Sequence, residues 1–143
     1  MSLHSILFER CFPYDDTLTR YTVRDGTLRK IFAHIMRTEN RTAEGECYQV
    51  NRAVNAVYSD ADHALVSLKV NGEHVATADE LFTVCQQGYH VHNASAYLNV
   101  THEELVTAGR TRVVATSAQE VLEEYLRNHQ NIKRKVEGRL IYV

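Results

Sequence analysis

Tyrosine is the residue type whose placement first suggests chemistry: the chain has eight tyrosines, four phenylalanines and no tryptophan. Tyr14 follows Pro13 and precedes two carboxylates, Asp15 and Asp16. Tyr89 follows Gly88 and leads into His90-Val91-His92-Asn93. Turn residues beside each ring predict exposure rather than burial in a core. Two exposed rings facing each other would make a slot for a flat heterocycle, and such stacking is worth on the order of 1–3 kcal/mol per base. Periodicity does not say whether these two rings meet, and two unrelated surface tyrosines fit the same pattern.

The other candidate residues give less. His90 and His92 are the closest pair among eight histidines and would share one face of a strand. Two imidazoles with no carboxylate in the same loop do not complete a metal site, so a structural or hydrogen-bonding role is expected. No serine lies in a G-x-S-x-G elbow, and neither G-x-G-x-x-G nor a Walker loop is present. Lys133-Arg134-Lys135 is too short, and too poor in aromatics, to track a nucleic acid; it reads as a solvated connector. Cys11, Cys47 and Cys85 lie 36 and 38 residues apart without a CxxC pair, and are expected to be buried small hydrophobes.

These side chains need elements to hold them. Leu18 to Val23 reads as a strand ending in a turn at Asp25-Gly26. Leu28, Ile31, Phe32 and Ile35 then form the stripe of a helix running to about Arg37, followed by a loop over Thr38 to Glu46. Tyr48 to Tyr58 is strand-like, and Ala64 to Val70 and Glu73 to Ala76 flank Asn71-Gly72, a strong hairpin signal. Leu81 to Cys85 is a short strand, Gln86 to Val100 mostly loop, and Arg112 to Ala115 a further strand. Ser117 and Glu120 form a capping box opening a helix with Val121, Leu122, Tyr125 and Leu126 as its buried face. Leu140 to Val143 closes the chain as a strand. Together these predict an α+β fold.

The 143 residues suit one domain, and 16 basic against 18 acidic side chains give a net charge of −2, which argues against a nucleic-acid polymer as partner. An apolar share of 44% with 24% charged residues excludes intrinsic disorder. No apolar run approaches the roughly 20 residues of a membrane span, and residues 1–4 have no signal-peptide pattern; localisation stays open.

Phe12-Pro13-Tyr14-Asp15-Asp16-Thr17-Leu18 and Val23-Arg24-Asp25-Gly26-Thr27-Leu28 resemble the opening of the C-terminal domain of the 5′-nucleotidase family, where a PF-x-N-T-L strand precedes a T-G-x-x-L turn into a helix. Leu68-Lys69-Val70 with Asn71-Gly72-Glu73 resembles the family's hairpin, and Asp79 to Tyr89 the strand leading to its second aromatic residue. Ala118 to Leu126 and Glu137-Gly138-Arg139-Leu140 resemble the closing helix and its E-G-R-I ending.

The resemblance implies mixed or antiparallel sheets with packed helices, layered α/β/β/α, over residues 6–143, with residues 1–5 as linker. It implies a nucleoside or nucleotide as ligand, with the base held between Tyr14 and Tyr89 and Asp16 beside the first ring. The family's G-G-D-G turn is replaced by Asn93-Ala94-Ser95-Ala96-Tyr97, so Ser95, Asn93 or His90 is left to meet the ribose. It places hydrolysis, and two divalent metals, in an N-terminal metallophosphoesterase domain of the same polypeptide. This chain alone is then expected to be inactive, with no cofactor of its own. The rival readings are a scaffold module that has lost nucleoside recognition, and a metalloenzyme built on His90 and His92.

Overall fold

The computed structural model describes residues 12, 14–42, 48–76 and 78–143; the expectations for residues 1–5, Cys11, Pro13, residues 43–46 and Cys47 lie outside them. In chain order the elements are β1 (Leu18–Arg24), α1 (Asp25–Ile35), α2 (Thr38–Thr42), β2 (Val54–Ser59), β3 (Ala64–Val70), β4 (Glu73–His74) and β5 (Leu81–Gln87). Three short helices follow, α3 (Gly88–His92), α4 (Ala94–Tyr97) and α5 (His102–Val106), then β6 (Arg112–Ala115), α6 (Ala118–Asn128) and β7 (Leu140–Tyr142). The fold is α+β, with two sheets and packed helices. One sheet runs β5-β1-β6, all antiparallel; the other runs β4-β3-β2-β7, with β7 parallel to β2.

β1 alternates as a half-buried strand should, with Thr19, Tyr21 and Val23 inward. The chain then enters α1 directly. Asp25-Gly26, expected as a turn, is the first helical turn, because the Asp25 carboxylate has better partners there. It accepts from the N–H groups of Gly26 (2.7 Å), Ala78 (2.6 Å) and Asp79 (3.1 Å), and the Asp25 N–H donates to the Glu80 carbonyl (3.0 Å). An acid at a helix start is also favoured by the helix dipole. Leu28, Ile31, Phe32 and Ile35 are buried, and α1 touches strands of both sheets. The core continues through Met36, Ala56, Tyr58, Leu68, Val91, Leu98, Val100 and Leu105.

The hairpin forms where Asn71-Gly72 places it: both residues have positive φ (54° and 88°), as a type I′ turn requires, although β4 stops at His74. Other expectations need correction. Thr38–Thr42 is helical rather than loop. Only Val54–Ser59 of the 48–58 stretch is strand, because the Val54 N–H donates back to the Asn51 carbonyl and turns the chain before it (3.1 Å). β5 reaches Gln87, and most of 88–100 is helical, since Val91, Ala94 and Leu98 recur at helical spacing and are buried. Cys85 is exposed, because β5 is an edge strand whose Leu81, Thr83 and Cys85 point outward together. The Val121, Leu122, Tyr125 and Leu126 face of α6 is not buried: Val121, Tyr125 and Leu126 are exposed, Leu122 is half-buried, and Ala118 is the helix's one buried residue. Amphipathicity marks the apolar face correctly; no described element lies along it.

Candidate functional site

The segment Tyr14–Thr17 precedes β1 and reaches two helix starts at once. Asp15 serves α6: its Oδ1 accepts from the Gln119 N–H (3.0 Å), and the Asp16 carbonyl accepts from the Ala118 N–H (2.8 Å). The Ser117 hydroxyl accepts from the Glu120 N–H (3.0 Å), so half of the expected capping box is present. Hydrogen bonds from Ser117 and Gln119 hold the Asp15 carboxyl below its ordinary pKa.

Asp16 serves α3. Its Oδ2 accepts from the Tyr89 N–H and its Oδ1 from the Thr17 N–H (2.6 Å), while the Gly88 N–H donates to the Thr17 carbonyl (2.8 Å). Glycine at 88 is required by this approach, not by φ: a Cβ there would meet Thr17 Oγ1 inside van der Waals contact and Asp16 Oδ1 at 2.9 Å. The bonds bring Tyr14 and Tyr89 into one neighbourhood, because Tyr14 is two residues, at most about 7 Å of chain, from the residue that grips Tyr89. Both rings are available: Tyr14 is 84% exposed and Tyr89 50%. Tyr14 makes no ring contact with a described residue.

Tyr89, by contrast, belongs to a cluster. Its hydroxyl lies 3.0 Å from the Tyr97 hydroxyl, and the two rings are tilted at 57° with centroids 5.3 Å apart. His90 sits among three tyrosines, edge-on to Tyr48 (5.7 Å), Tyr89 (5.8 Å) and Tyr97 (5.4 Å). The Tyr48 hydroxyl donates to the Tyr97 carbonyl (3.2 Å). Of these four rings Tyr89 is the exposed one, and His90 and Tyr97 lie against it.

Each residue singled out in the sequence now has a position. Asp16, Tyr89 and His90 are brought together, and Tyr14 lies two residues along the chain from Asp16. Asn93 is beside them, its amide Nδ2 donating to the Tyr89 carbonyl (2.9 Å) and leaving its Oδ1 as an acceptor site on an exposed residue. Ser95 is exposed on α4. His90 and His92 lie on a helix rather than a strand, so their side chains are about 200° apart and do not share a face. Sequence reasoning misses Tyr48 and Tyr97 as site residues. Tyr89 and Tyr97, eight residues apart, hint at one helical side, but the break at Asn93 hides that spacing. Among the described residues no group of three or more His, Cys, Asp or Glu side chains could hold a metal ion. Nor is any helix among them long and apolar enough to cross a membrane.

The fold has a known counterpart. It superposes with a TM-score of 0.68 on the crystal structure of a 5′-nucleotidase precursor from Thermus thermophilus, covering 95% of this chain at 14% identity. The likeness is one of fold, shared with a part of a nucleotide hydrolase. This chain spans 27% of that protein's length. No protein-family model and no curated protein matches the sequence.

Proposed function

We propose that this chain is the substrate-recognition domain of a 5′-nucleotidase-like phosphoesterase, corresponding to the C-terminal domain of that family, and that it binds the nucleoside part of the substrate. The observation that carries the reading is the pair of exposed rings tied to one loop: Tyr14 two residues ahead of Asp16, and Tyr89 gripped by Asp16 at the start of α3. A base would stack on the outward face of Tyr89, with Tyr14 closing over it. The ribose would meet Asn93 and Ser95. Asp16, whose oxygens are already engaged by backbone N–H groups, acts in this reading by setting the rings rather than by reading the base. Hydrolysis, with its two divalent metals, belongs to a separate metallophosphoesterase domain of the same polypeptide. That domain would supply the water that displaces the nucleoside oxygen from phosphorus, and this chain would hold the nucleoside so that the phosphate is positioned for it.

Titration of the chain with adenosine, uridine and their monophosphates, followed by tyrosine ring NMR signals, tests the proposal. Shifts at Tyr14 and Tyr89, with affinity weakened about 5- to 150-fold by Tyr89→Ala, are expected from loss of one stacking partner. If no nucleoside moves either ring, the domain is a scaffold that has kept the fold alone. That second reading draws on the loss of the glycine-rich turn: Asn93–Tyr97 forms a compact helical turn instead of an open loop.

A further inference from the structure

Tyr58 is a core residue whose polar end the fold leaves over. It is 3% exposed, and its hydroxyl makes no hydrogen bond with any described residue. A buried hydroxyl normally finds a partner, as that of Tyr21 does in the Gln86 side chain. Burial, and then the carboxylates of Glu39 and Asp60, push the Tyr58 pKa up, so the group keeps its proton and stays a donor. Glu39 and Arg37, two of the charges that act on this hydroxyl, also wall an open depression of 330 Å³ that Tyr58 lines. The polar end of Tyr58 therefore faces the depression.

Other stretches of chain bring donors to the same place. Lys30 lies on α1 and Arg37 just past its end. His63 comes from the turn between β2 and β3, and Asn99 from the bend after α4. The last two are held at positive φ (51° and 55°), and neither side chain bonds to a described residue. Glu39 is the one carboxylate on this wall among the described residues, and it is exposed. We propose that the depression binds a tetrahedral oxyanion of the phosphate class, with the Tyr58 hydroxyl donating from its floor and Lys30, Arg37, His63 and Asn99 around it. Donors that converge from separate elements suit four oxygens set tetrahedrally better than a flat carboxylate. The permanent charges of Lys30 and Arg37 favour an anion over a neutral ligand, and the Lys30 bond to Glu104 (3.0 Å) holds its ammonium in place. None of these residues belongs to the proposed nucleoside site, so the two readings stand or fall separately.

Titration of the chain with sodium phosphate in a phosphate-free buffer, followed by tyrosine ring and asparagine side-chain amide NMR signals, tests this. The Tyr58 ring and the Asn99 amide should move along one saturable curve, with a Kd between about 0.1 and 10 mM. Sodium chloride at equal ionic strength should move neither. Tyr58→Phe should weaken phosphate binding about 10-fold. It should nonetheless melt no lower than the parent chain, because it removes a buried hydroxyl that the fold leaves unpaired. His63→Gly and Asn99→Gly keep backbones that glycine adopts freely, and each should weaken binding about 3-fold. Ribose 5-phosphate separates the possible sources of the group. Tighter binding of this ester than of phosphate assigns the site to a phosphomonoester, the reverse assigns it to the free ion, and ribose alone should not bind. Shifts that never saturate, that chloride reproduces, or that Tyr58→Phe leaves unchanged would overturn the proposal. So would a Tyr58→Phe variant that melts well below the parent, since the hydroxyl would then have a partner within the protein.

Discussion

Asp15 and Asp16 are adjacent and chemically identical, yet each does a separate task because each faces a different helix start. Asp16 receives the backbone N–H of a residue 73 positions away, a contact that no local pattern in the sequence announces. The family resemblance implies a place beside the base edge for Asp16; its geometry gives its oxygens to the backbone first. Asp15 carries a pH signature. Its carboxyl is held low by Ser117 and Gln119, so its folded pKa lies beneath the unfolded value of about 4. Its contribution to stability is then fully present above about pH 4 and is lost as pH falls through the folded pKa. Glu104, held low by the Thr101 N–H and by Lys30, and Glu137, held low by Arg139, slope in the same direction. Asp15→Asn keeps an acceptor for Gln119 but removes the titration. Urea midpoints between about pH 2 and 6 should therefore fall less steeply with acid in this variant than in the parent chain. Equal slopes would show that the Asp15 bonds do not survive in solution.

At the level of elements, what is legible depends on length. The α1 stripe and the Asn71-Gly72 turn are strong signals, and both stand where their residues put them. α3 and α4 are five and four residues long, shorter than the window over which helical periodicity can be counted, although Val91, Ala94 and Leu98 keep the spacing. The complete capping box at the start of α5, Thr101 with Glu104, is easily passed over beside the half-formed one at Ser117. For α6 the pattern names the apolar face but not its cover, because amphipathicity is a property of one helix and burial is a property of two elements. The junction of β5 and α3 gives the element-scale prediction. Gly88→Ala must push Thr17 and Asp16 away from the start of α3, at a cost of about 1–3 kcal/mol for overpacking. Thermal melts should show the loss, and the Tyr89 amide resonance should move with it. An unchanged Tyr89 resonance would mean that Asp16 does not hold the ring's backbone.

Over the whole molecule, the sheet that carries the hairpin is finished by the last residues of the chain. β7 lies parallel to β2, a pairing that waits for about eighty intervening residues to fold. The Val143 N–H donates to the Tyr58 carbonyl (3.0 Å), the Asp60 N–H to the Val143 carbonyl (2.7 Å), and the Arg41 guanidinium lies 3.8 Å from the centre of the Tyr142 ring. Removing Leu140–Val143 should lower stability by about 2–5 kcal/mol, from several lost ladder bonds and one cation–π contact, read as a drop in urea midpoint. A midpoint unchanged by the truncation would mean that β2 is held without its parallel neighbour. The site, at the other sheet, depends on a different kind of closure. Thr17, Asp16 and Asp15 form a spacer between the starts of α3 and α6, and successive side chains of an extended segment point to opposite sides. One residue added or removed between Asp15 and Leu18 would turn a carboxylate away from its helix, whatever amino acid was used. This stretch of chain is therefore constrained in length more strictly than in composition: Asn for Asp can keep the acceptors, but no insertion can keep the count.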